Sequence, residues 1–249
     1  MDEDTRQQLA EQFGTLSRRK LGDMVEEGLL KLLQNGRLQP GDKLPSEREL
    51  MTLFGVGRPA IREAMQSLQR RGLIEIRHGE RPNVAKPSFD RTLSELSETM
   101  RHVLQHSENS MVHLKEARLL FETQMARIAA TRRTEADLAA IALILERQSA
   151  CLSGSPEFLD LDGLFHEAIA RVSGNPVFRS LSRALFSWLS VFHSDQVRRP
   201  GLEGLTVSEH HAILDAIITG DPQLAETRMA EHLNRASTLY HADNTALRP

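Results

Sequence analysis

The chain has 249 residues, a net charge of −3, and hydrophobic and charged shares of 40% and 26%. These values exclude a fibrous or intrinsically disordered protein and allow one or two globular domains. The single cysteine, Cys151, excludes an internal disulfide framework and fits a reducing compartment. No apolar run approaches the roughly 20 residues that a membrane span needs. We therefore expect a cytoplasmic protein with no membrane partner.

Charge is divided unevenly along the sequence. Residues 1–88 hold 15 Lys and Arg against 13 Asp and Glu, whereas residues 89–249 hold 16 against 21 and nine of the ten histidines. The whole-chain charge therefore does not exclude a nucleic-acid partner. To bind DNA, the slightly basic first part would have to concentrate its arginines on one face and dimerise to double its phosphate contacts.

The first 17 residues have weak helical character and few apolar side chains, and we interpret residues 1–17 as a mobile N-terminal arm. An amphipathic helix is predicted at residues 21–33, and it ends at Asn35-Gly36. Its apolar side consists of Met24, Val25, Leu29, Leu30 and Leu33. The connector that follows, residues 38–46, is expected to carry a short strand.

Two helices separated by a tight turn follow the connector. Ser46 can cap the first helix, and Glu49 three residues later completes a capping box. Gly55 ends this helix, and Arg58-Pro59 begins the second, where a proline in the first turn costs no hydrogen bond. The buried face of the second helix is formed by Ile61, Ala64, Met65 and Leu68. This pattern indicates a helix-turn-helix whose second helix enters the major groove of DNA.

Two short strands, at residues 73–77 and 83–86, are expected around His78-Gly79-Glu80, which would form the tip of a β-wing. Residues 18–87 are therefore predicted to be a winged helix-turn-helix DNA-binding domain. Arg58 and Arg62 lie one turn apart at the start of the second helix. From there they can reach guanine edges or phosphates.

The sequence after residue 87 shows no strand pattern. Seven helices are predicted instead, near residues 90–105, 110–132, 134–152, 156–173, 175–197, 204–219 and 221–240. Thr134, Ser155 and Asp221 are suitable N-caps for three of them. The predicted fold class is thus mainly α, with an N-terminal winged helix-turn-helix followed by an all-α bundle over residues 88–249.

The string PSERELxxxFGVxRxxIREAxxxLxxxGLI, followed by a glycine-containing wing, resembles the GntR family of bacterial transcription regulators. The resemblance implies a double-stranded DNA operator as partner and a wing tip that enters the minor groove. Carried over residue by residue, it implies DNA contacts by Arg48, Gly57, Arg58, Pro59, Arg62, His78 and Gly79. Gly57 and Pro59 stand where many family members carry Ser or Thr, which removes hydroxyl contacts at the helix N-terminus.

Three strings in the second part resemble the FCD effector-binding domain of the FadR-type branch of this family. They are EARLLFETQMARIAA, DGLFHEAIARVSGNPVF and EHHAILDAIITGDPQLAETRMAEHL. Together with the first domain, the resemblance extends from residue 18 to residue 240. It implies that residues 88–249 bind a small effector and mediate homodimerisation.

Asp162 and His166 are four residues apart on one predicted helix face, while His210 and His232 lie on two later helices. Three imidazoles and a carboxylate could hold a divalent metal, although such spacing is also common without one. The matching positions of the FCD domain are its metal ligands. The resemblance therefore implies a metal site at these four residues, with Zn²⁺ as first choice and Ni²⁺ or Mn²⁺ as alternatives. His211 would point about 100° away from His210 around the helix.

Arg118 and Glu122 share a face of the second bundle helix, and Asn175 lies in a Gly-Asn-Pro turn. From the residues alone, an intrahelical ion pair and a helix cap are equally good interpretations. In FCD domains the matching Arg and Asn face a cavity beside the metal. The resemblance therefore implies that Arg118, Glu122 and Asn175 bind the effector, and an arginine fork beside a metal suits a small carboxylate.

The string HEAIA at residues 166–170 lacks the second histidine of the HExxH motif, and the sequence shows no Ser-His-Asp, Cys-His or phosphate-loop pattern. We therefore expect no enzyme activity. The head resembles that of family members that repress sialic-acid catabolism, which favours N-acetylneuraminate as the effector of a repressor of a sugar-acid operon. Hexuronates, gluconate and lactate are alternative effectors. A metal-dependent hydrolase and an architectural DNA-binding protein are alternative classes.

Overall fold

The computed structural model describes residues 20–77, 79–107, 109–151, 155–193 and 202–241, of which 190–193 and 236–241 are described by their backbone alone. The predicted N-terminal arm, residues 1–17, and the wing-tip residue His78 lie outside these ranges. The chain divides into two compact units between Ser88 and Phe89. We refer to the first unit as the head and to the second as the bundle.

The described part of the head contains three helices and two strands: α1 (Leu21–Gln34), α2 (Glu47–Phe54), α3 (Arg58–Arg70), β1 (Ile74–Glu75) and β2 (Asn83–Val84). The strands are antiparallel, with Ile74 opposite Val84. Both are shorter than predicted, and β2 also pairs with the connector. Asn83 forms a bridge with Lys43, and the Val84 N–H donates to the Asp42 carbonyl at 2.8 Å. The strand expected in the connector is thus a single bridge.

Helix α2 begins and ends at the predicted signals. The Ser46 hydroxyl accepts from the Glu49 N–H at 3.3 Å, and the Glu49 carboxylate accepts from the Ser46 N–H at 2.6 Å. This completes the capping box. Gly55 ends the helix with a φ of +63°, in the left-handed region that favours glycine. Helix α3 then starts at Arg58, so the tight turn between the two helices is confirmed.

The core of the head forms on the predicted face of α3. Its buried residues are Val25, Leu29, Leu44, Leu50, Ile61, Ala64, Met65, Leu68, Ile74 and Val84. The prediction for α1 was wrong at Met24, which is 53% exposed because the helix turns Val25 and Leu29 inward instead. The opposite face of α3, which carries Arg58 and Arg62, is exposed.

The described part of the bundle consists of eight helices: α4 (Phe89–Glu95), α5 (Ser97–His106), α6 (Ser110–Arg132), α7 (Glu135–Ala150), α8 (Pro156–Arg171), α9 (Pro176–His193), α10 (Glu203–Thr219) and α11 (Pro222–His241). The prediction of one helix at 90–105 was wrong, because this segment divides at Leu96. There the Ser97 hydroxyl donates to the Leu93 carbonyl at 3.1 Å and accepts from the Trp188 indole N–H at 3.3 Å. The division therefore coincides with a contact to α9, and neither Gly nor Pro marks it in the sequence.

The three predicted N-caps of the bundle are confirmed. Thr134 and Asp137 form a second capping box at the start of α7. The Ser155 hydroxyl accepts from the Glu157 N–H at 3.2 Å, and the Asp221 carboxylate accepts from two N–H groups in the first turn of α11. Satisfying these otherwise unpaired donors sets where the helices begin.

The largest core of the bundle is built around α6. Ala126, Ala129 and Ala130 are fully buried, and their small side chains let α11 approach closely. Ala225 and Met229 of α11 lie in the same core, with residues of α7, α8 and α10. This packing brings the inner faces of α8, α10 and α11 together. Within the described ranges, none of the helices is long and apolar enough to cross a membrane.

Candidate functional site

Three histidines from three helices meet inside the bundle. His166 of α8 is 2% exposed, His210 of α10 is 0% exposed and His232 of α11 is 4% exposed. Their ring centroids are 4.8 to 5.5 Å apart. One nitrogen of each ring lies within 4.8 Å of the corresponding nitrogens of the other two. The neighbouring His211 is exposed, as expected from its position around the helix.

His210 is held on three sides. Its ring stacks on that of Phe165, with centroids 4.0 Å apart and planes 11° from parallel. Its Nδ1 hydrogen-bonds Oε1 of Gln148 at 2.8 Å. Because an amide oxygen only accepts, Nδ1 carries the proton and Nε2 keeps its lone pair. This Nε2 lies 3.3 Å from Oδ1 of Asp162, to which the Gln148 amide donates at 3.4 Å. Gln148 thus connects two of the predicted metal ligands.

The other two histidines also use Nδ1 for a side-chain contact. Nδ1 of His166 pairs with the Glu122 carboxylate, and Nδ1 of His232 lies 2.8 Å from the Glu209 carboxylate. The Nε2 atoms of His166 and His210 are buried and have no hydrogen-bond partner. In metal sites a histidine commonly holds a carboxylate or carbonyl with one nitrogen and the metal with the other. The arrangement of Nδ1 contacts at all three rings therefore matches that of metal-binding histidines.

The electrostatic surroundings of His210 and His232 favour neutral imidazoles. Burial lowers the pKa of His210 well below its ordinary value, and the neighbouring His232 acts in the same direction. Burial also lowers the pKa of His232, although its hydrogen bond with Glu209 opposes this effect. Burial would raise the pKa of Glu122, but Arg118 and His166 outweigh it and lower that pKa to about 2. The neutral imidazoles of His210 and His232 are in the protonation state that binds metals.

The donor set fits a divalent metal. Three imidazole nitrogens and the Asp162 carboxylate are ligand types that Zn²⁺ and its neighbours in the transition series accept. A buried polar atom without a partner lowers stability. A metal ion would provide a partner for the Nε2 atoms of His166 and His210. These residues can therefore hold a metal ion.

Arg118 lies beside the histidine cluster on α6. Its Nε donates to Oε1 of Glu122 at 2.6 Å, so the intrahelical ion pair considered from the sequence is present. The same Glu122 contacts His166, and the Arg118 guanidinium carbon lies 5.4 Å from the centre of the Phe186 ring. Arg118 and Glu122 thus belong to the same buried cluster as the histidines, and their contact with an effector stays a prediction.

Asn175 has a structural role at the start of α9. Its side-chain oxygen accepts from the Val177 N–H at 2.9 Å, and its own N–H donates to the Ser173 hydroxyl at 3.1 Å. The helix cap considered from the sequence is therefore present. These contacts do not join Asn175 to the histidines, and its effector contact stays a prediction.

Sequence reasoning missed two partners of the histidines, Gln148 and Glu209. Gln148 is 0% exposed and lies on the buried stripe of α7 with Ile141 and Leu145, at helical spacings of four and three residues. A glutamine in an apolar stripe is the signal that could have identified it. Glu209, directly before His210 in the sequence, gave no comparable signal, because its contact with His232 joins two helices.

The DNA-binding candidates of the head lie on its surface. Arg48 of α2 is exposed, as are Gly57, Arg58, Pro59 and Arg62 at the start of α3 and Gly79 in the wing. Gly79 has a φ of +77°, which a glycine adopts without strain.

Glu47 of α2 was missed by the sequence analysis. Its carboxylate lies 3.4 Å from Nε of Arg58 and 4.0 Å from Nε of Arg62. These side chains are 43% to 66% exposed, so the pairs are weak and leave both arginines available.

A winged helix-turn-helix head followed by a helical bundle with a metal-competent histidine cluster defines a class of bacterial transcription regulators. The family model described as "Bacterial regulatory proteins, gntR family" matches residues 21–84, and the "FCD domain" model matches residues 113–235. Over 229 residues, the chain is 39% identical to the HTH-type transcriptional repressor NanR of Citrobacter rodentium. The match covers 91% of this chain and 88% of that relative. The NanR of Salmonella newport gives the same identity and coverage. The chain therefore belongs to the GntR family, in its FadR-type branch with an FCD domain.

Solved structures agree with this assignment. Streptococcus agalactiae GntR is 26% identical with a TM-score of 0.57, and the match covers 86% of this chain and 98% of that one. E. coli McbR/YncC is 20% identical with a TM-score of 0.50, and the match covers 90% and 99% of the two chains. At that identity the second likeness concerns the fold alone.

Proposed function

We propose that the protein is a transcriptional repressor of a sugar-acid catabolic operon. Its head binds duplex operator DNA, and N-acetylneuraminate releases it by binding beside a divalent metal in the bundle. The observation that carries the proposal is the convergence of His166, His210 and His232 next to Arg118. The relatives named as repressor NanR support the effector, because the match covers 91% of the chain and so includes the bundle.

The DNA contacts are assigned to the exposed surface of α3 and to the wing. Arg58 and Arg62 would contact guanine edges or phosphates, and Arg48 would approach the same groove from α2. Gly57 and Pro59 keep the start of α3 small, which allows its backbone to approach the DNA. His78 and Gly79 would enter the minor groove. A homodimer doubles these contacts, which a head with a net charge of only about +2 requires.

The metal is assigned to Asp162, His166, His210 and His232, with Zn²⁺ as first choice and Ni²⁺ or Mn²⁺ as alternatives. A bound metal would supply a Lewis acid for a carboxylate oxygen of the effector. The imidazoles would be oriented by side chains that contact Nδ1, the nitrogen that does not bind the metal. These side chains are Glu122, Gln148 and Glu209.

The effector carboxylate is assigned to Arg118, with Glu122 and Asn175 as further contacts. Arg118 already pairs with Glu122, so an incoming carboxylate would share the fork of N–H donors with it. Hexuronates, gluconate and lactate are the alternative effectors, because each also carries a carboxylate and hydroxyl groups.

Release from DNA requires the effector to bind one arrangement of the two heads more tightly than the other. We assign the transmission to a hinge at residues 87–90, which spans the end of the head and the first residues of α4. A regulator that binds chromosomal operators works in the cytoplasm, and we place the protein there.

A selection experiment tests this proposal. The purified, zinc-loaded protein first selects duplexes from a random-sequence DNA library. Fluorescence anisotropy with the best duplex gives the DNA affinity, and N-acetylneuraminate, glucuronate, gluconate and lactate are then added in turn. We expect N-acetylneuraminate to release the DNA, and we expect EDTA or Arg118→Ala to suppress this release. Arg58→Ala and Arg62→Ala should weaken DNA binding by about 10- to 100-fold, whereas the exposed Arg37→Ala should not.

The possible outcomes separate the parts of the proposal. If only another acid releases the DNA, that acid is the effector and the proposed mechanism stands. DNA binding that none of the acids changes would contradict the effector-responsive function. Equal affinity for all duplexes of the library would contradict the operator-binding function.

A further inference from the structure

Ser182 of α9 carries a buried hydroxyl that none of the proposed roles uses. The residue is 1% exposed, and its Oγ has no hydrogen-bond partner in the structure. The contrast with Ser180 on the same helix is direct, because Ser180 donates to the Asp90 carboxylate at 2.5 Å. An unpaired buried hydroxyl lowers stability and is uncommon in folded proteins. Its presence at Ser182 therefore needs an explanation.

The helical period places Ser182 on the face of α9 that meets α6 and α8. Phe178 and Phe186 lie four residues to either side of it and share this face. The Phe178 ring contacts that of Phe121 in α6, with centroids 6.0 Å apart. The Phe186 ring lies 5.4 Å from the Arg118 guanidinium, also in α6. Ser182 thus lies between two aromatic residues that both contact the helix carrying Arg118.

The contacts between α8 and α9 place Ser182 level with the histidine cluster. Arg183, the next residue, donates from Nε to Glu167 at 2.9 Å, and Glu167 directly follows His166. Phe186 lies one turn further along α9, and its ring centroid is 6.3 Å from that of His166. Ser182 therefore lies on the turn of α9 that is opposite His166. His166 Nε2 is likewise buried and without a hydrogen-bond partner.

We propose that the Ser182 hydroxyl is a specificity-determining contact that hydrogen-bonds a hydroxyl group of a polyhydroxylated acid effector. The inference rests on the proposed function and deepens it. Phe178 and Phe186 flank Ser182 on this face, so its hydroxyl is a polar group between two aromatic side chains. A site built to hydrogen-bond a ligand discriminates strongly against analogues that leave its polar group unpaired. Acids with hydroxyl groups therefore bind in preference to acids without them.

Removing this hydroxyl should affect binding and stability in opposite directions. Ser182→Ala deletes a polar atom that has no partner in the ligand-free protein, so its melting temperature should stay unchanged or rise. The same change removes a ligand contact, so its affinity for N-acetylneuraminate should fall about 10-fold. A serine that only packs in the core would instead lose stability or change neither property.

Isothermal titration calorimetry on the purified, full-length, zinc-loaded protein measures its affinity for each of two acids. N-acetylneuraminate carries hydroxyl groups, and propionate is a carboxylate without them. We expect Ser182→Ala to reduce the ratio of the two affinities about 10-fold. Ser187→Ala, a change at an exposed serine of the same helix, should leave this ratio unchanged. Ser180→Ala should lower the melting temperature, because its hydroxyl donates to Asp90.

The outcomes distinguish this inference from the proposed function. If the wild-type protein binds N-acetylneuraminate and Ser182→Ala binds it equally well, the inference is overturned and the function stands. If Ser182→Ala binds less tightly but also melts at a lower temperature, Ser182 acts in packing and the inference is overturned as well. If the wild-type protein binds neither N-acetylneuraminate nor another hydroxylated acid, the proposed function fails first and the inference fails with it.

Discussion

Gln148 shows how much of the histidine cluster depends on residues that do not carry its chemistry. Its amide oxygen holds Nδ1 of His210, and its amide nitrogen donates to Asp162. The His residues could be predicted because the family motif marks their positions in the sequence. Gln148 could not be predicted in the same way, because its two contacts depend on how α7 packs against α8 and α10. Only its place in an apolar stripe indicated that it is special.

Gln148→Leu should weaken zinc binding by about 10- to 100-fold, the usual loss when the partner of a metal-binding histidine is removed. Leucine has a similar volume but cannot hold Nδ1 of His210 or donate to Asp162. Competition with a chromogenic chelator at constant pH measures the zinc affinity. Gln105→Leu, an exposed change in α5, is the control. Equal zinc affinities for Gln148→Leu and the wild-type protein would contradict the assignment of the zinc site to the histidine cluster.

At the scale of the element, α8 has two neighbouring residues with different partners. His166 faces the cluster, while Glu167 binds two arginines of α9: its Oε1 accepts from Nε of Arg179 at 2.7 Å, and its Oε2 accepts from Nε of Arg183 at 2.9 Å. Arg183 also lies 3.4 Å from Asp90 of α4. Burial would raise the pKa of Glu167, but hydrogen bonds from Arg183 and Arg179 outweigh it and lower that pKa.

Glu167→Gln should lower the free energy of unfolding by about 1–2 kcal/mol, because two charge-assisted hydrogen bonds between helices are weakened in a partly exposed setting. Chemical denaturation of the zinc-loaded protein measures this change. Glu231→Gln is the matched control, since Glu231 pairs with Arg228 within one exposed helical turn. The control should change stability by only a few tenths of a kcal/mol. If Glu231→Gln lowered the free energy of unfolding as much as Glu167→Gln, the ion pairs between α8 and α9 would add no stability beyond that of a pair within one helix.

The starts and ends of the elements were the most predictable part of the fold. Capping boxes at Ser46 and Thr134 depend on residues three apart in the sequence, so they could be identified without the structure. The division at Leu96 and the bridge between the connector and β2 could not, because the contacts found there join residues distant in the sequence. Trp188 reaches Ser97 across 91 residues, and Lys43 pairs with Asn83 across 40.

At the scale of the whole molecule, the head and the bundle have separate cores. The buried apolar residues of the head lie in the first 88 residues, and those of the histidine-bearing core lie after residue 113. The change from helix-and-strand patterns to helical patterns alone indicated two domains from the sequence. The sequence could not show which helix faces meet in the bundle, since periodicity gives a face but not its partner.

Chelation should therefore loosen the bundle and leave the head unchanged. Hydrogen-exchange mass spectrometry with and without EDTA measures this in the full-length protein. We expect faster exchange in peptides from α8, α10 and α11, because a ligand that binds only the folded state stabilises it. Peptides from α1 and α3 serve as the internal control. An equal change in both units, or in neither, would contradict a metal bound by the bundle histidines.

Separate cores also have a consequence for how such a protein evolves. The core of the head and the core with the histidines share no buried residue, so a substitution in either core acts first on the packing of its own unit. Selection for a new operator and selection for a new inducer can thus act on different parts of one gene with little mutual interference. Recombination near codon 88 would exchange one property while preserving the other. A lineage can in this way acquire a new inducer while it keeps an inherited operator.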